Sequence, residues 1–277
     1  MQTSDMTQAS TSSKTLPSSN DLVGVIVVLL QPYGDQDQRR YEELQKLRQR
    51  HDQAFVRWLP HITLIPPFTL TAPPQVDDLN ESSSDELDAV VQRHEPRLSE
   101  IAQAALEVCK GHAAHSLLLD QVSTFPLRKY TNVHLRPYPT NFEDKGTRSA
   151  AAQSQVRDED VSSRRIVNLQ KNLDHAVGPL LRPDTAYATE SSAKPTRRTV
   201  FKPHVSVGQS TSPKATWQLC NSAERMLNGG QGQPENVQRP GILCRVDHVQ
   251  LMVKRKGQEG PYRIHQELSL SHDAHES

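Results

Sequence analysis

Apolar and polar positions alternate along the chain in a pattern that predicts short strands between amphipathic helices. The most apolar run, residues 22–30, is too short to span a bilayer and lacks the flanks of a signal peptide, so we interpret it as a buried strand. Further strands are predicted at residues 56–64, 116–122, 132–136, 200–207, 242–254 and 262–270. Helices are predicted at residues 37–52, 84–110 and 166–180, and from Pro213 onward, because apolar residues recur there at helical spacing.

Polar stretches between these elements suggest how the chain is divided. We predict one bilobal domain at residues 21–271, made of lobe one at about 21–138, a polar linker at about 139–164 and lobe two at about 165–271. The ends are expected to be a disordered N-terminal tail at residues 1–20 and a C-terminal tail at residues 272–277. Polar loops are expected at residues 73–84, 183–198 and 229–241.

A short internal repeat is the most informative feature of the pattern. Residues 60–64 (PHITL) match residues 203–207 (PHVSV) in residue type at every position, and both segments lie on predicted strands. Strands and helices follow the two segments in a similar order, which indicates duplicated units. The sequence therefore predicts an α+β fold of two pseudo-symmetric lobes, each an antiparallel sheet with helices packed outside, and an active cleft between the lobes.

The repeat places chemically useful side chains on one face of each strand. Because successive side chains of a strand point to opposite faces, His61 shares a face with Thr63, and His204 shares a face with Ser206. If the two faces meet, one neutral imidazole can take a proton from an attacking hydroxyl while the other, protonated, gives a proton to the leaving oxygen. The two hydroxyls can donate hydrogen bonds to a phosphate, and this arrangement needs no metal or cofactor.

At this point the sequence resembles a known family. The segments PHITL and PHVSV are similar to the two His-x-Thr/Ser-x motifs of the 2H phosphoesterases, which include 2′-5′ RNA ligase-like proteins, 2′,3′-cyclic nucleotide phosphodiesterases and AKAP-type domains. Residues 125–137 and 250–265 resemble the same group. One such motif is weakly specific, whereas two on predicted strands are specific together. The resemblance implies a cleft between two lobes, catalytic roles for His61 and His204, and phosphate binding by Thr63 and Ser206.

Three further residues are candidates for contact with the substrate. Lys202 precedes the second motif and could attract a phosphate, although a solvated lysine is an equal alternative. Phe68 could stack on a base but fits a core position better, and Tyr130 lies in a predicted loop where it could also stack. The pair His112 and His115 has no acidic or cysteine partner nearby, so a metal site is not expected.

Composition narrows the class of partner. Lys and Arg together number 32, as do Asp and Glu, so the net charge is zero and no global positive field favours long duplex nucleic acid. The three cysteines are widely spaced, which fits a reducing compartment and argues against a disulfide framework. We expect a cytoplasmic or nuclear monomer with no membrane partner, whose substrate is an RNA end or a cyclic nucleotide.

These features favour a metal-independent phosphoesterase that acts on 2′,3′-cyclic phosphate ends of RNA or nucleotides, or on the related ADP-ribose cyclic phosphate. Two alternatives stay open. The same side chains could serve a 2′-5′ RNA ligase or an enzyme that trims RNA 3′ ends, and the chain could also be a nucleotide- or RNA-binding module without turnover. The polar insertions at residues 139–164 and 183–198 weaken any transfer of substrate choice from the family.

Overall fold

The computed structural model describes residues 20–71, 86–137, 156–181, 201–229 and 240–271. The predicted tails, the loops at 73–84 and 183–198, and most of the polar segments at 139–164 and 229–241 lie outside these residues. The strands are β1 (Leu22–Leu29), β2 (Gln31–Pro32), β3 (His61–Leu70), β4 (His115–Leu119), β5 (Gln121–Pro126), β6 (Thr131–Arg136), β7 (Val205–Ser210), β8 (Ile242–Val246), β9 (His248–Arg255) and β10 (Arg263–Ser269). The helices are α1 (Asp35–His51), α2 (Glu86–Lys110), α3 (Val156–Val177) and α4 (Pro213–Leu227).

The strands form antiparallel sheets, and helices pack against them, which confirms the predicted α+β class. One sheet has the order β10-β9-β1-β3, a second β2-β8-β4 and a third β5-β6-β7. Helix α2 packs against β9 and β10 and against α3, whereas α1 and α4 pack against β7. The site described below lies where β3 of the first sheet approaches β7 of the third.

The sheets exchange strands across the lobe boundary that the sequence suggested. Strands β9 and β10, from the predicted second lobe, pair with β1, whereas β5 and β6, from the predicted first lobe, pair with β7. Both β1 and β9 are buried along most of their length, so their backbone N–H and C=O groups need a neighbouring strand on both sides. The apolar pattern identifies these strands, but it does not say which strand lies beside which, and contiguous lobes were therefore the wrong expectation for the sheets.

The strand that carries the first motif differs from its prediction. It was expected at residues 56–64 and to end at Pro66 and Pro67, but residues 53–57 form turns and β3 runs on to Leu70. Strand β3 lies at the edge of its sheet, where proline is tolerated because its missing N–H breaks no ladder hydrogen bond. The register shifts opposite these prolines, between Gly24 and Ile26 of β1.

Helix α3 also begins earlier than expected. It starts at Val156, inside the predicted linker. The sequence pattern does not reveal this start, because the first turns carry few apolar residues and give no helical periodicity. The prediction for α4 is confirmed: Pro213 occupies the first turn, and the Ser212 side chain accepts a hydrogen bond from the Ala215 amide.

Candidate active site

Strand β3 presents His61 and Thr63 to one side and buries their neighbours on the other. Ile62 and Leu64 are 2% and 1% exposed and belong to the main hydrophobic core, whereas His61 and Thr63 are only partly buried. This alternation is the one that the sequence predicted. The core therefore fixes the strand so that the imidazole and the hydroxyl project from it together.

The second motif repeats this arrangement. His204 lies immediately before β7, and Ser206 lies on the strand between Val205 and Val207, which are fully buried in the same core. Gly208, which follows, is in close contact with the end of α1, because a Cβ on it would lie 2.6 Å from the Cβ of His51. This close approach brings α1 and the loop that follows it against the second motif.

Both histidines are held by the same hydrogen bond. Nδ1 of His61 lies 2.8 Å from the carbonyl oxygen of Leu59, and Nδ1 of His204 lies 2.8 Å from the carbonyl oxygen of Lys202. A carbonyl oxygen only accepts, so Nδ1 must carry the hydrogen in each ring. In the neutral form Nε2 is then the basic nitrogen, and in the protonated form Nε2–H is a donor. Each ring is thus oriented with Nε2 as the nitrogen that is not engaged by the backbone.

The two motifs share one cleft. His61 and Ser206 both line a cavity of about 190 Å³. Burial lowers the pKa of His61, and the charges of Arg48 and His204 lower it further, while the Leu59 carbonyl and Asp52 oppose the shift. The enclosed volume is below the ~300–1,000 Å³ of typical small-molecule pockets, so it suits a phosphate-sized group with the rest of a ligand outside.

Aromatic rings lie against both histidines. On the first side, Trp58 lies 4.6 Å from the His61 ring and stacks on Tyr262 at 3.9 Å. On the second side, the His204 ring is 5.5 Å from Phe125 and 5.2 Å from His134. These contacts restrict the rotation of both imidazoles, and Trp58 and Phe125 are also partly exposed beside the cleft.

A buried ion pair forms the floor of the cleft. The guanidinium of Arg48 binds Asp52 at 2.9 Å and donates to the Trp58 carbonyl oxygen at 2.8 Å. The other carboxylate oxygen of Asp52 accepts from Nε2 of Gln209 at 3.2 Å, and Oε1 of Gln209 accepts from the Gln53 amide at 2.9 Å. This network joins α1, the loop that leads to His61, and β7, which carries Ser206.

Strand β6 lies beside β7 and contributes two buried polar residues behind the second motif. Asn132 donates from Nδ2 to Oγ of Ser206 at 3.3 Å. His134 is paired in register with Ser206 and contacts the His204 ring. Burial, with the charge of His204 next, lowers the pKa of His134 to about 4. His134 is therefore neutral near pH 7 and does not compete with His204 for a proton.

The comparison with known families agrees with this geometry. A model of the 2′-5′ RNA ligase superfamily matches residues 35–258, a range that includes both motifs. The chain belongs to the 2′-5′ RNA ligase superfamily. The resemblance to the 2H phosphoesterases noted from the sequence is thereby confirmed, and membership supports a phosphoesterase or RNA-processing role.

Solved structures and curated sequences give more distant comparisons. Apo LigT of E. coli is 14% identical with a TM-score of 0.41, covering 91% of this chain and 98% of that chain. E. coli LigT complexed with 3′-AMP is 12% identical with a TM-score of 0.41, covering 91% and 99%. Usb1 of Kluyveromyces marxianus is 11% identical with a TM-score of 0.37, covering 91% and 99%. Among curated proteins, no sequence matches the chain.

The remaining candidates for substrate contact in this superfamily member lie in different places. Lys202 is exposed beside the second motif, and its charge contributes to the low pKa of His134, so it remains near the cleft. Tyr130 lies in the β5–β6 turn, where its carbonyl oxygen accepts from the Leu127 amide. Phe68 packs against the core, and its ring covers Gly24, which is the core position that the sequence favoured over contact with substrate.

Several residues of the site were not predicted from the sequence. Arg48, Asp52 and Gln209 are charged or polar residues on a surface helix, a loop and a strand, and nothing in their spacing indicates that they meet. Trp58 and Asn132 gave a weak signal, since Trp58 comes three residues before His61 and Asn132 lies in a segment that resembles the family.

The described residues show neither a cluster of metal ligands nor a membrane-spanning helix. In the five described ranges, no group of three or more His, Cys, Asp or Glu side chains is placed to hold a metal ion. In the same part of the chain, no helix is both long enough and apolar enough to cross a membrane.

Proposed function

We propose that this protein is a metal-independent phosphoesterase that hydrolyses 2′,3′-cyclic phosphates on RNA ends or nucleotides, or the related ADP-ribose cyclic phosphate. The observation that carries the proposal is the matched pair His61 and His204. Each ring is anchored through Nδ1 to the carbonyl oxygen two residues before it, and His61 lines one cavity together with Ser206 of the second motif.

The two histidines have different roles in the proposed step. His61 is the base, because its lowered pKa keeps Nε2 unprotonated at neutral pH. It takes a proton from water, the water oxygen bonds to phosphorus, and the bond from phosphorus to one ribose oxygen breaks. Protonated His204 gives its Nε2 proton to that ribose oxygen. The product is a phosphomonoester with a free neighbouring hydroxyl. At the end of the step His61 is protonated and His204 is neutral.

The hydroxyls of Thr63 and Ser206 bind the phosphate in this proposal. They project from β3 and β7 on the same faces as the histidines, and Ser206 lines the cleft with His61. Their donated hydrogen bonds oppose the negative charge that builds on the non-bridging oxygens as water adds. The small enclosed volume fits a phosphate, and in this proposal the base and ribose lie toward the rim, beside Trp58 and Phe125.

Replacing either histidine tests the proposal directly. We expect His61→Ala and His204→Ala each to lower kcat for 2′,3′-cyclic nucleotides by roughly 10²–10⁴-fold, the usual contribution of general acid–base catalysis. His265→Ala is the matched control, because His265 faces Glu95 on α2, on the helix-covered side of its sheet. The measurement is steady-state turnover of a panel of cyclic phosphates and of 2′-5′- and 3′-5′-linked oligonucleotides, with thermal melts of each variant.

Two outcomes contradict the proposal. Turnover that persists in the His61→Ala/His204→Ala double variant would place the chemistry elsewhere. Tight binding of the cyclic phosphates without turnover by the wild-type protein would instead indicate a nucleotide-binding module. We also expect EDTA to leave the rate unchanged, and a loss in EDTA that zinc restores would indicate a metal-dependent reaction.

A further inference from the structure

The second motif has a polar partner, Asn132, that has no role in the reaction proposed above. Asn132, on β6, donates from Nδ2 to Oγ of Ser206 at 3.3 Å. Its side chain is 5% exposed, and it stands between the β5 and β7 strands in the middle of the third sheet. The Asn132 end of this contact is therefore shielded from bulk water, while Ser206 borders the cleft.

Stability of the fold does not account for this amide. Oδ1 of Asn132 is buried and makes no hydrogen bond to any described residue. A buried polar atom of that kind destabilises a protein, so an apolar residue would serve a purely structural purpose better at this position. What the asparagine supplies is the hydrogen bond from Nδ2 to Ser206.

That hydrogen bond determines how Ser206 can act. A serine hydroxyl carries one hydrogen, while its oxygen accepts through two lone pairs. With one lone pair engaged by Nδ2 of Asn132, the hydroxyl hydrogen points elsewhere, and Ser206 borders the cleft. Phosphate oxygens accept hydrogen bonds, so Ser206 must be a donor if it is to bind phosphate. The contact with Asn132 favours this state.

The two motifs carry different residues at the hydroxyl position, and this difference accounts for the partner of Ser206. The first motif has Thr63 and the second has Ser206. Threonine is branched at Cβ and has few accessible χ1 rotamers, so the position of its hydroxyl oxygen is largely fixed by its own backbone. Serine lacks the γ-methyl group and rotates more freely. Its hydroxyl therefore depends on a neighbour for its direction.

We propose that Asn132 is a positioning residue that fixes the Ser206 hydroxyl as a hydrogen-bond donor toward the substrate phosphate. This inference rests on the proposed phosphoesterase function and extends it to a residue outside the two motifs. Asn132 acts through Ser206 and is not itself a catalytic residue.

The central test is a rescue experiment. We expect Asn132→Ala to lower kcat by about tenfold, with a smaller change in KM, because Ser206 loses its direction where charge builds in the transition state. Ser206→Thr alone is measured as the reference for the double variant. In the double variant Asn132→Ala/Ser206→Thr we expect most of the lost kcat to return, since the branched side chain holds the hydroxyl oxygen in place without a partner and leaves its hydrogen free to donate to the phosphate. A purely structural role for Asn132 predicts no such rescue.

A second variant reverses the polarity of the partner. Asn132→Asp is nearly isosteric, but an ionised carboxylate only accepts, so it takes the Ser206 hydrogen away from the phosphate. We expect a larger loss of kcat than in Asn132→Ala, and no recovery when Ser206→Thr is added. This variant also carries the test if Asn132→Ala does not fold, because an unchanged kcat in folded Asn132→Asp overturns the proposal.

Binding of inorganic phosphate separates this inference from the proposed function. If the wild-type protein turns over no cyclic phosphate, the proposed function fails, yet titration calorimetry with phosphate still reports on Ser206. We expect the affinities to follow the same order: wild type, then Asn132→Ala, then Asn132→Asp, with Ser206→Thr restoring only the alanine variant. Wild-type kcat and phosphate affinity in Asn132→Ala, or a loss that Ser206→Thr does not restore, would overturn the role of Asn132.

Discussion

His134 lies against His204 in a place where a charge is costly. It is 6% exposed on β6, and its ring is 5.2 Å from that of His204. Burial first, and the charge of His204 second, lower the pKa of His134 to about 4. Near neutral pH His134 is therefore neutral and does not repel a proton on His204, the proposed acid.

The low pKa of His134 predicts how stability depends on pH. In the unfolded chain a histidine has a pKa near ~6.5, so between ~6.5 and about 4 the unfolded state binds a proton that the folded state does not. The free energy of unfolding therefore falls as pH is lowered through this window, by at most about 3 kcal/mol from His134, because solvent screens part of the effect. Urea unfolding at about pH 7.5 and about pH 4.5 should show a smaller loss in His134→Phe than in wild type.

The comparison with His134→Phe removes the contribution of other titrating groups. Both proteins contain the same carboxylates and the same remaining histidines, so only the difference between their two pH dependences reports on residue 134. If wild type and variant lose the same stability between the two pH values, His134 does not carry the predicted cost.

At the scale of elements, α1 connects the two halves of the site. The buried pair Arg48–Asp52 lies at its C-terminal end, and Gln209 of β7 binds both Asp52 and the Gln53 amide. The loop that leads to His61 is bound to this pair, because its Trp58 carbonyl oxygen accepts a hydrogen bond from Arg48. The distance between the first motif and β7 is therefore fixed by this side-chain network as well as by the pairing of the strands.

Removing Asp52 should destabilise the protein strongly. Asp52→Ala leaves the Arg48 guanidinium, 2% exposed, without its counter-charge, and breaking such a buried pair typically costs ~3–5 kcal/mol. The control is the exposed pair Lys46–Glu43 on the same helix, where Glu43→Ala should change the free energy of unfolding by less than ~1 kcal/mol. Urea unfolding of both variants checks the contrast, and equal small effects would mean that the Arg48–Asp52 pair does not hold the site.

The elements also show how far the sequence predicts the site. Side chains of a strand alternate between its two faces, and this local property predicts which residues of β3 and β7 face the cleft. The burial of Ile62 and Val205 on the opposite face confirms the prediction. The hydrogen bond from Asn132 to Ser206 depends on β6 lying next to β7, and the contact between Gln209 and Asp52 depends on α1 crossing β7. Such contacts depend on strand order and helix packing, which periodicity does not encode.

For the whole molecule, the exchange of strands makes the lobes inseparable. Strand β1 and its edge partner β3 carry the first motif, but the other neighbour of β1 is β9, from the C-terminal end of the chain. Strand β7 carries the second motif beside β6, from the N-terminal half. Each motif is therefore supported by chain segments from both sides of the predicted linker, so the relative position of the two motifs is part of the fold itself.

Truncation tests this dependence. A chain that stops after residue 247 loses β9 and β10, whose buried side chains include Val249, Leu251 and Leu268, all 0% exposed. Each such side chain contributes ~1.5–3 kcal/mol, and several together approach the ~5–15 kcal/mol that stabilises a whole domain. We expect this truncated protein to show no cooperative thermal transition, whereas a control that stops after residue 271 should melt like the full chain. Cooperative unfolding of the protein without β9 and β10 would mean that the N-terminal segments form an independent lobe, with the contiguous boundary that the sequence first suggested.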